Sequence, residues 1–249
     1  MSITFFDIPS TLKDNAWSPN TFKTRLSLNY KGIPHKTEWI EYPDIETSLK
    51  KSGGAPTSKK PDGRDHYTLP AIYDPATGKV VTDSIQIAAY LDDRYSDTPA
   101  LIPSGTRAAI EIFNDFFEQK LGSIYPILLP ASNNILNPPS EEYFRRTREE
   151  LYKKKLEEFA PPGPARDELW EKFREGLDQV ASFYDKNGAN KPFFLGDTFT
   201  FADANVLGYL LWIKVVLGSD SKEWKAVGSW NGGRWANLVE VTKKWQVVN

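Results

Sequence analysis

Apolar and polar residues alternate in two different rhythms along this chain, and the change of rhythm divides it. The opening "SITFFDI" is short, apolar and rich in β-formers, which predicts a strand. In "SPNTFKTRLSLNYKG" the apolar residues Phe22, Leu26 and Tyr30 recur four apart, on one helix face, and Gly32 suits the C-terminal stop. "HKTEWIEY" has a period of two, with Thr37, Trp39 and Glu41 on one face and Ile40 on the other, as in a half-buried strand. "DIETSLKKSG" predicts a short helix closed by Gly53, and the polar, Pro- and Gly-containing "GAPTSKKPDGRDH" a loop. "TLPAIYD" and "GKVVTDS" then read as strands joined by the turn "PATG", and "DSIQIAAYLDDRY" as a helix with Ile87 and Leu91 on its inner face. The order is β-α-β-α-β-β-α.

From about Pro103 the strand signals stop. "TRAAIEIFNDFFEQKLGSIYPILLP" predicts a long helix interrupted at Pro126, and "SEEYFRRTREELYKKKLEEF" a highly charged helix with a solvated face. "ARDELWEKFREGLDQVASFYDKN" follows the break "PPGP", and "FTFADANVLGYLLWIKVVLG" is apolar enough to be buried on most sides. A last helix, "GGRWANLVEVTKKW", follows a Trp- and Gly-rich turn. The expected architecture is an α/β unit over residues 1–96 and an all-α unit over residues 104–249, with the linker between them.

At 249 residues, 40% of them hydrophobic, the chain has material for a large core. Its formal charge is −2 with both signs interspersed, so nothing suggests a nucleic-acid footprint. No apolar run approaches the roughly 18 residues of a membrane span and no secretory signal opens the chain, which points to the cytosol. There are no cysteines and only two histidines. A disulfide framework, a thiolate metal site and a cysteine nucleophile are excluded, and a histidine triad or zinc site is disfavoured, so no metal is expected. The chemistry must rest on hydroxyls, carboxylates, amides or a thiol brought by a ligand.

Four short motifs carry chemistry. Ser18-Pro19 is a helix start: Ser suits the N-cap, and Pro fits the first turn, where its missing N–H costs nothing. The same helix mouth attracts anions, and a hydroxyl there can donate to a thiolate. Both readings stay open on the motif alone. Pro70 in "TLPAIYD" lacks a ladder donor, so it marks either a strand edge or a cis Leu69–Pro70 bond that turns the Leu69 backbone towards an extended peptide. Asp83-Ser84 stands where a strand gives way to a helix. Both residues cap well, while free N–H groups there suit a carboxylate and Asp83 suits an amine, the two charges of an amino-acid end. Thr200 and Asp203 form a capping box, a structural signal.

In this order and spacing the pieces resemble the glutathione transferase superfamily over nearly the whole chain. "SPNTFKTRLSLNYKGI" is similar to the active-site helix of omega-class enzymes, with Ser18 in the place of their cysteine. Ser18 with Asn20-Thr21 most resembles the serine-type omega-like enzymes of wood-degrading fungi, relatives of bacterial lignin β-etherases. The resemblance implies a thioredoxin-like N-terminal domain, a helical C-terminal domain and glutathione as co-substrate. It implies that Ser18 activates the glutathione thiol for conjugation to small electrophiles or reduction of peroxides. Leu69 and Pro70 would pair with the peptide, and Asp83 and Ser84 would hold the γ-glutamyl end. Lys59, Lys60 and His66 are candidates for the glycine end. A second pocket between the domains would take aromatic, phenolic compounds in a detoxifying role. Trp17, Asn20, Phe22, Phe113 and Tyr125 are candidates for its edge, Phe22 and Phe113 being equally candidates for core. A homodimer is expected from the family alone. Rival readings are a weakly catalytic carrier of polyphenols and a scaffold that has kept only the fold, the latter disfavoured by the retained Ser18 and Asp83-Ser84.

Overall fold

The structure is a computed structural model that describes residues 2–188 and 191–249. Every residue of strand β1 (Ile3–Asp7) is buried, which makes it the centre of a sheet. Strand β2 (His35–Trp39), only partly buried, pairs parallel with it along one edge, joined through helix α1 (Pro19–Tyr30). After helix α2 (Ile45–Ser52), the expected loop holds a small ribbon of β3 (Ser58–Lys59) and β4 (Asp65–His66), turned at Gly63. Two-residue polar strands leave no alternation to read, so sequence periodicity passes over them. Strand β5 (Ala71–Asp74) pairs antiparallel with β1, Phe5 opposite Ile72, and β6 (Lys79–Thr82) closes the other edge. The sheet order is β2-β1-β5-β6, a thioredoxin-like arrangement completed by helix α3 (Ser84–Arg94).

Among the described residues six α-helices follow: α4 (Arg107–Lys120), α5 (Tyr125–Asn133), α6 (Pro138–Tyr152), α7 (Pro164–Asp185), α8 (Phe201–Leu217) and α9 (Lys222–Val241). The expected architecture, an α/β N-terminal part and a helical C-terminal part, is the one found. The long helical run does break, but ahead of Pro126. A 3-10 turn at Gly122–Ile124 separates α4 from α5, and Pro126 takes an early position of α5 where its missing donor is harmless. The C-terminal segment also differs from the expectation. Helical turns begin already at Lys222, and the Trp- and Gly-rich stretch is a kink inside α9, where Asn231, Gly232 and Gly233 have φ of 52°, 67° and 84°.

Two devices hold the halves in register. The chain between α3 and α4 is clasped by Asp92, which accepts from Leu101 N and Ile102 N and from Lys31 Nζ at 2.8 Å. Helix α8, buried continuously from Phe201 to Ile213, packs on α1 at Gly208, where a Cβ would stand 2.7 Å from the Pro19 carbonyl oxygen. Only glycine permits that approach. The α8 start is fixed by the expected capping box. The Asp203 carboxylate accepts from Thr200 N and Oγ1 at 2.9 Å, Phe194 N at 2.7 Å and Tyr184 Oη at 3.1 Å.

Candidate active site

A cleft of about 580 Å³ opens between the sheet-bearing half and helices α4 and α8. From the first half come Asn20 and Lys23 on α1, then Thr57, Ser58, His66 and Thr68 on or beside the β3–β4 ribbon. Leu69, Pro70 and the residues Asp83 to Gln86 complete that side. Helix α4 presents Arg107, Glu111, Asn114, Asp115 and Glu118, a spacing that keeps all five on one helix face, and α8 presents Phe201 and Asn205.

Ser18 occupies the N-cap position of α1 with extended backbone, φ −73° and ψ 130°, but its side chain makes no capping bond. Its carbonyl oxygen accepts from Phe22 N at 3.0 Å and Thr21 Oγ1 at 3.2 Å. Among the described residues the hydroxyl is therefore uncommitted, at the positive end of a twelve-residue helix. Ser18 is 4% exposed and Asn20, two residues on, lines the cleft wall.

The Leu69–Pro70 peptide is cis, and the Leu69 N–H and C=O make no backbone hydrogen bond among the described residues. Asp83 has φ 73°; its Oδ1 accepts from Ile85 N and Gln86 N, both at 3.2 Å, while Oδ2 takes neither bond. The cap thus occupies one oxygen of the carboxylate and leaves the other out of it. Leu69, Pro70, Asp83, Ser84 and His66 all line the cleft. The His66 Nδ1 lies 3.2 Å from Ser58 Oγ, and burial, with Lys60 and Arg148 nearby, holds the ring pKa below its ordinary value. Lys59 and Lys60 stand outside the wall, Lys59 paired with Asp65 across the exposed ribbon and Lys60 with Glu46 on α2.

The aromatic edge expected from the sequence is turned inward. Trp17, 2% exposed, packs on Tyr42 and Phe144, and Phe22 lies in the core at 5%. Phe113 is pressed between Phe117 and Phe194, with the Phe194 ring centroid 4.2 Å away. Tyr125 shares a 2.7 Å hydrogen bond with Tyr209, and burial pushes its hydroxyl up to about 12. None of these four lines the cleft, whereas Asn20 does. These rings gain more by burying their faces against one another than by facing solvent, and α4 has a whole face available for that. What lines the cleft instead is polar. Lys23 Nζ lies 2.9 Å from Glu118 Oε1, and Asn205 Nδ2 donates to Asn114 Oδ1 at 3.0 Å. Sequence reasoning missed Lys23, Asn114 and Asn205. The available signal was a polar residue seated within an apolar helical stripe: Asn114 beside Phe113 and before Phe117, and Asn205 in the most apolar helix.

A thioredoxin-like sheet bearing a cis-proline loop, docked on a helical unit with a polar cleft between them, defines the architecture of the glutathione transferases. Residues 17–94 match the family described as glutathione S-transferase, N-terminal domain, and residues 108–245 match glutathione S-transferase, C-terminal domain. The chain belongs to the glutathione S-transferase family; it is a glutathione transferase, with glutathione as its co-substrate. It is 32% identical, over 97% of its length and 90% of the relative's, to the glutathione S-transferase-like protein ustS of Aspergillus flavus. Among solved structures it is similar to the glutathione S-transferase CsGST63524 of Ceriporiopsis subvermispora in complex with glutathione. That likeness has 49% identity and a TM-score of 0.97, over 100% of this chain and 99% of that one. It is similar also to the glutathione transferase GSTFuA3 of Phanerochaete chrysosporium, with 43% identity and a TM-score of 0.95, over 100% and 99% of the two chains.

Proposed function

We propose that this enzyme is of the serine-type, omega-like kind and that Ser18 donates its hydroxyl to the glutathione sulfur, favouring the thiolate for attack on small electrophiles or peroxides. The observation that carries this reading is the uncommitted Ser18 hydroxyl at the mouth of α1. A free thiol titrates at about 8.5, and a helix N-terminus lowers that. The open Leu69 backbone suits pairing with the peptide, and the Asp83 Oδ2 with the Ser84 hydroxyl suits the γ-glutamyl amine and carboxylate. His66, in the cleft wall, suits the glycine end better than Lys59, whose ammonium is held by Asp65.

The second substrate lies on the α4–α8 side. Its polar lining favours hydroxylated or carbonyl-bearing aromatics over plain hydrocarbons, in keeping with detoxification of phenolic compounds. Residues 1–96 form the glutathione-binding unit and 104–249 the helical one, in a cytoplasmic homodimer.

Thermal shift with glutathione, followed by a panel of hydroxylated phenolics, tests the reading. A ligand at a hundred times its Kd stabilises by about 2.7 kcal/mol. Stabilisation by glutathione together with inhibition of conjugation by a bound phenolic is expected. A phenolic that binds while turnover of a model electrophile is untouched would place it elsewhere.

A further inference from the structure

One turn beyond Asn20, α1 brings a second functional group to the cleft. Lys23 lines the wall although its side chain is only 6% exposed, with Nζ 2.9 Å from Glu118 Oε1 and 5.3 Å from the centre of the Tyr209 ring. Burying a cation is costly, and here a carboxylate and an aromatic face offset it. An ammonium has three N–H donors. One meets Glu118 and one direction is covered by the ring, which leaves a donor for a group in the cleft. Lys23 follows Ser18 by five residues, and its Cα–Cβ bond tilts towards the end of α1 that Ser18 opens. The neighbouring wall is built for a polar ligand too: beyond its bond to Asn114, Asn205 keeps a buried Oδ1 with no partner among the described residues. An amide oxygen left so in an apolar helix is destabilising until a donor reaches it.

We propose that Lys23 is an electrophile-activating residue, donating to the carbonyl oxygen of an α,β-unsaturated carbonyl substrate held between α1, α4 and α8. The proposal rests on the reading that the glutathione sulfur lies at Ser18. In the step, the thiolate sulfur forms a bond to the β-carbon. The C=C pair shifts to the carbonyl side and the C=O pair moves onto oxygen, where the Lys23 ammonium meets the new negative charge. A proton from water then completes the α-carbon, and the hydroxide left is neutralised by the proton the thiol released on ionising. Nothing leaves, and no redox partner is needed. Glu118, with a 45% exposed side chain, is the positioning residue that holds the ammonium between turnovers.

The test compares Lys23→Met and Lys23→Arg on two electrophiles: an enone, and a benzyl halide, whose displacement puts no charge on an oxygen. A preplaced donor at a developing oxyanion is worth about 10²–10³ in rate. Lys23→Met is expected to lower kcat/KM for the enone by about a hundredfold, to change benzyl halide turnover by no more than about threefold and to leave the glutathione KM in place. Lys23→Arg should restore most of the enone rate. If Lys23→Met does not fold, Lys23→Gln, which keeps a donor to Glu118 without the charge, carries the same test. An equal loss on both electrophiles, or an unchanged enone rate in the folded variant, overturns the proposal. The underlying reading is scored separately. Wild-type protein that turns over neither electrophile overturns sulfur activation here and Lys23 with it, whereas intact benzyl halide turnover without enone selectivity removes Lys23 alone.

Discussion

Ser18→Ala separates a helix cap from a sulfur donor. Had the Ser18 side chain capped α1, its removal would cost about 1 kcal/mol of stability. The hydroxyl makes no capping bond, and alanine keeps the Cβ, so the denaturant midpoint should barely move. The loss falls on catalysis instead. A hydrogen bond to a charged group is worth about 1.5–3 kcal/mol, and one pKa unit corresponds to about 1.4 kcal/mol. Dividing one by the other raises the pKa of the bound thiol by about one to two units. At neutral pH this lowers kcat by roughly ten- to a hundredfold, and raising the pH should recover much of the loss. The assay is the pH–rate profile of conjugation for both proteins, with the thiolate absorbance of bound glutathione titrated alongside. A folded Ser18→Ala variant whose profile coincides with the wild type would refute the argument. Ser18 would then be only the first residue of a helix.

Ser18→Cys should form a mixed disulfide with oxidised glutathione, visible by mass spectrometry, and gain thiol-transferase activity that a chain without cysteine lacks; a folded variant that forms no adduct would mean residue 18 does not face the sulfur. Gly208→Ala places a Cβ 2.7 Å from the Pro19 carbonyl oxygen, so α1 must move. Overpacking of about 1–3 kcal/mol should outweigh a helix-propensity gain of at most about 1 kcal/mol, lowering both the urea midpoint and turnover; an unchanged midpoint would show that the helices part freely. Burial pushes the Asp203 carboxyl up to about 6 against the pull of its four hydrogen bonds. The folded state then holds a proton that the unfolded chain has released, so this group's contribution is full below about pH 4 and is lost as pH rises through about 6. Relative to Asp203→Asn, wild-type stability should therefore climb as pH falls from 7 towards 4; a flat difference would mean that Asp203 stays ionised throughout.

What the sequence determined by itself is local. The strand and helix order, the Ser18-Pro19 start, Asp83 as the cap of α3 and the Thr200–Asp203 box all depend on residues within a few positions of one another. Such signals survive without knowledge of the partner surface. Tertiary structure decided which face of each helix meets which neighbour. Periodicity predicted a helix through Phe113 and left that ring equally a candidate for pocket edge or core; only its packing on Phe194 put it in the core and left Asn114 to the cleft. Nothing in the sequence singles out Lys23; its role is set only where α8, brought close at Gly208, and α4 bury it against Tyr209 and Glu118. The free Ser18 hydroxyl was likewise invisible. Sequence names a good capping residue, but whether its oxygen turns to its own backbone or away from it depends on a few degrees of chain path set by the strand before and the helix beside it.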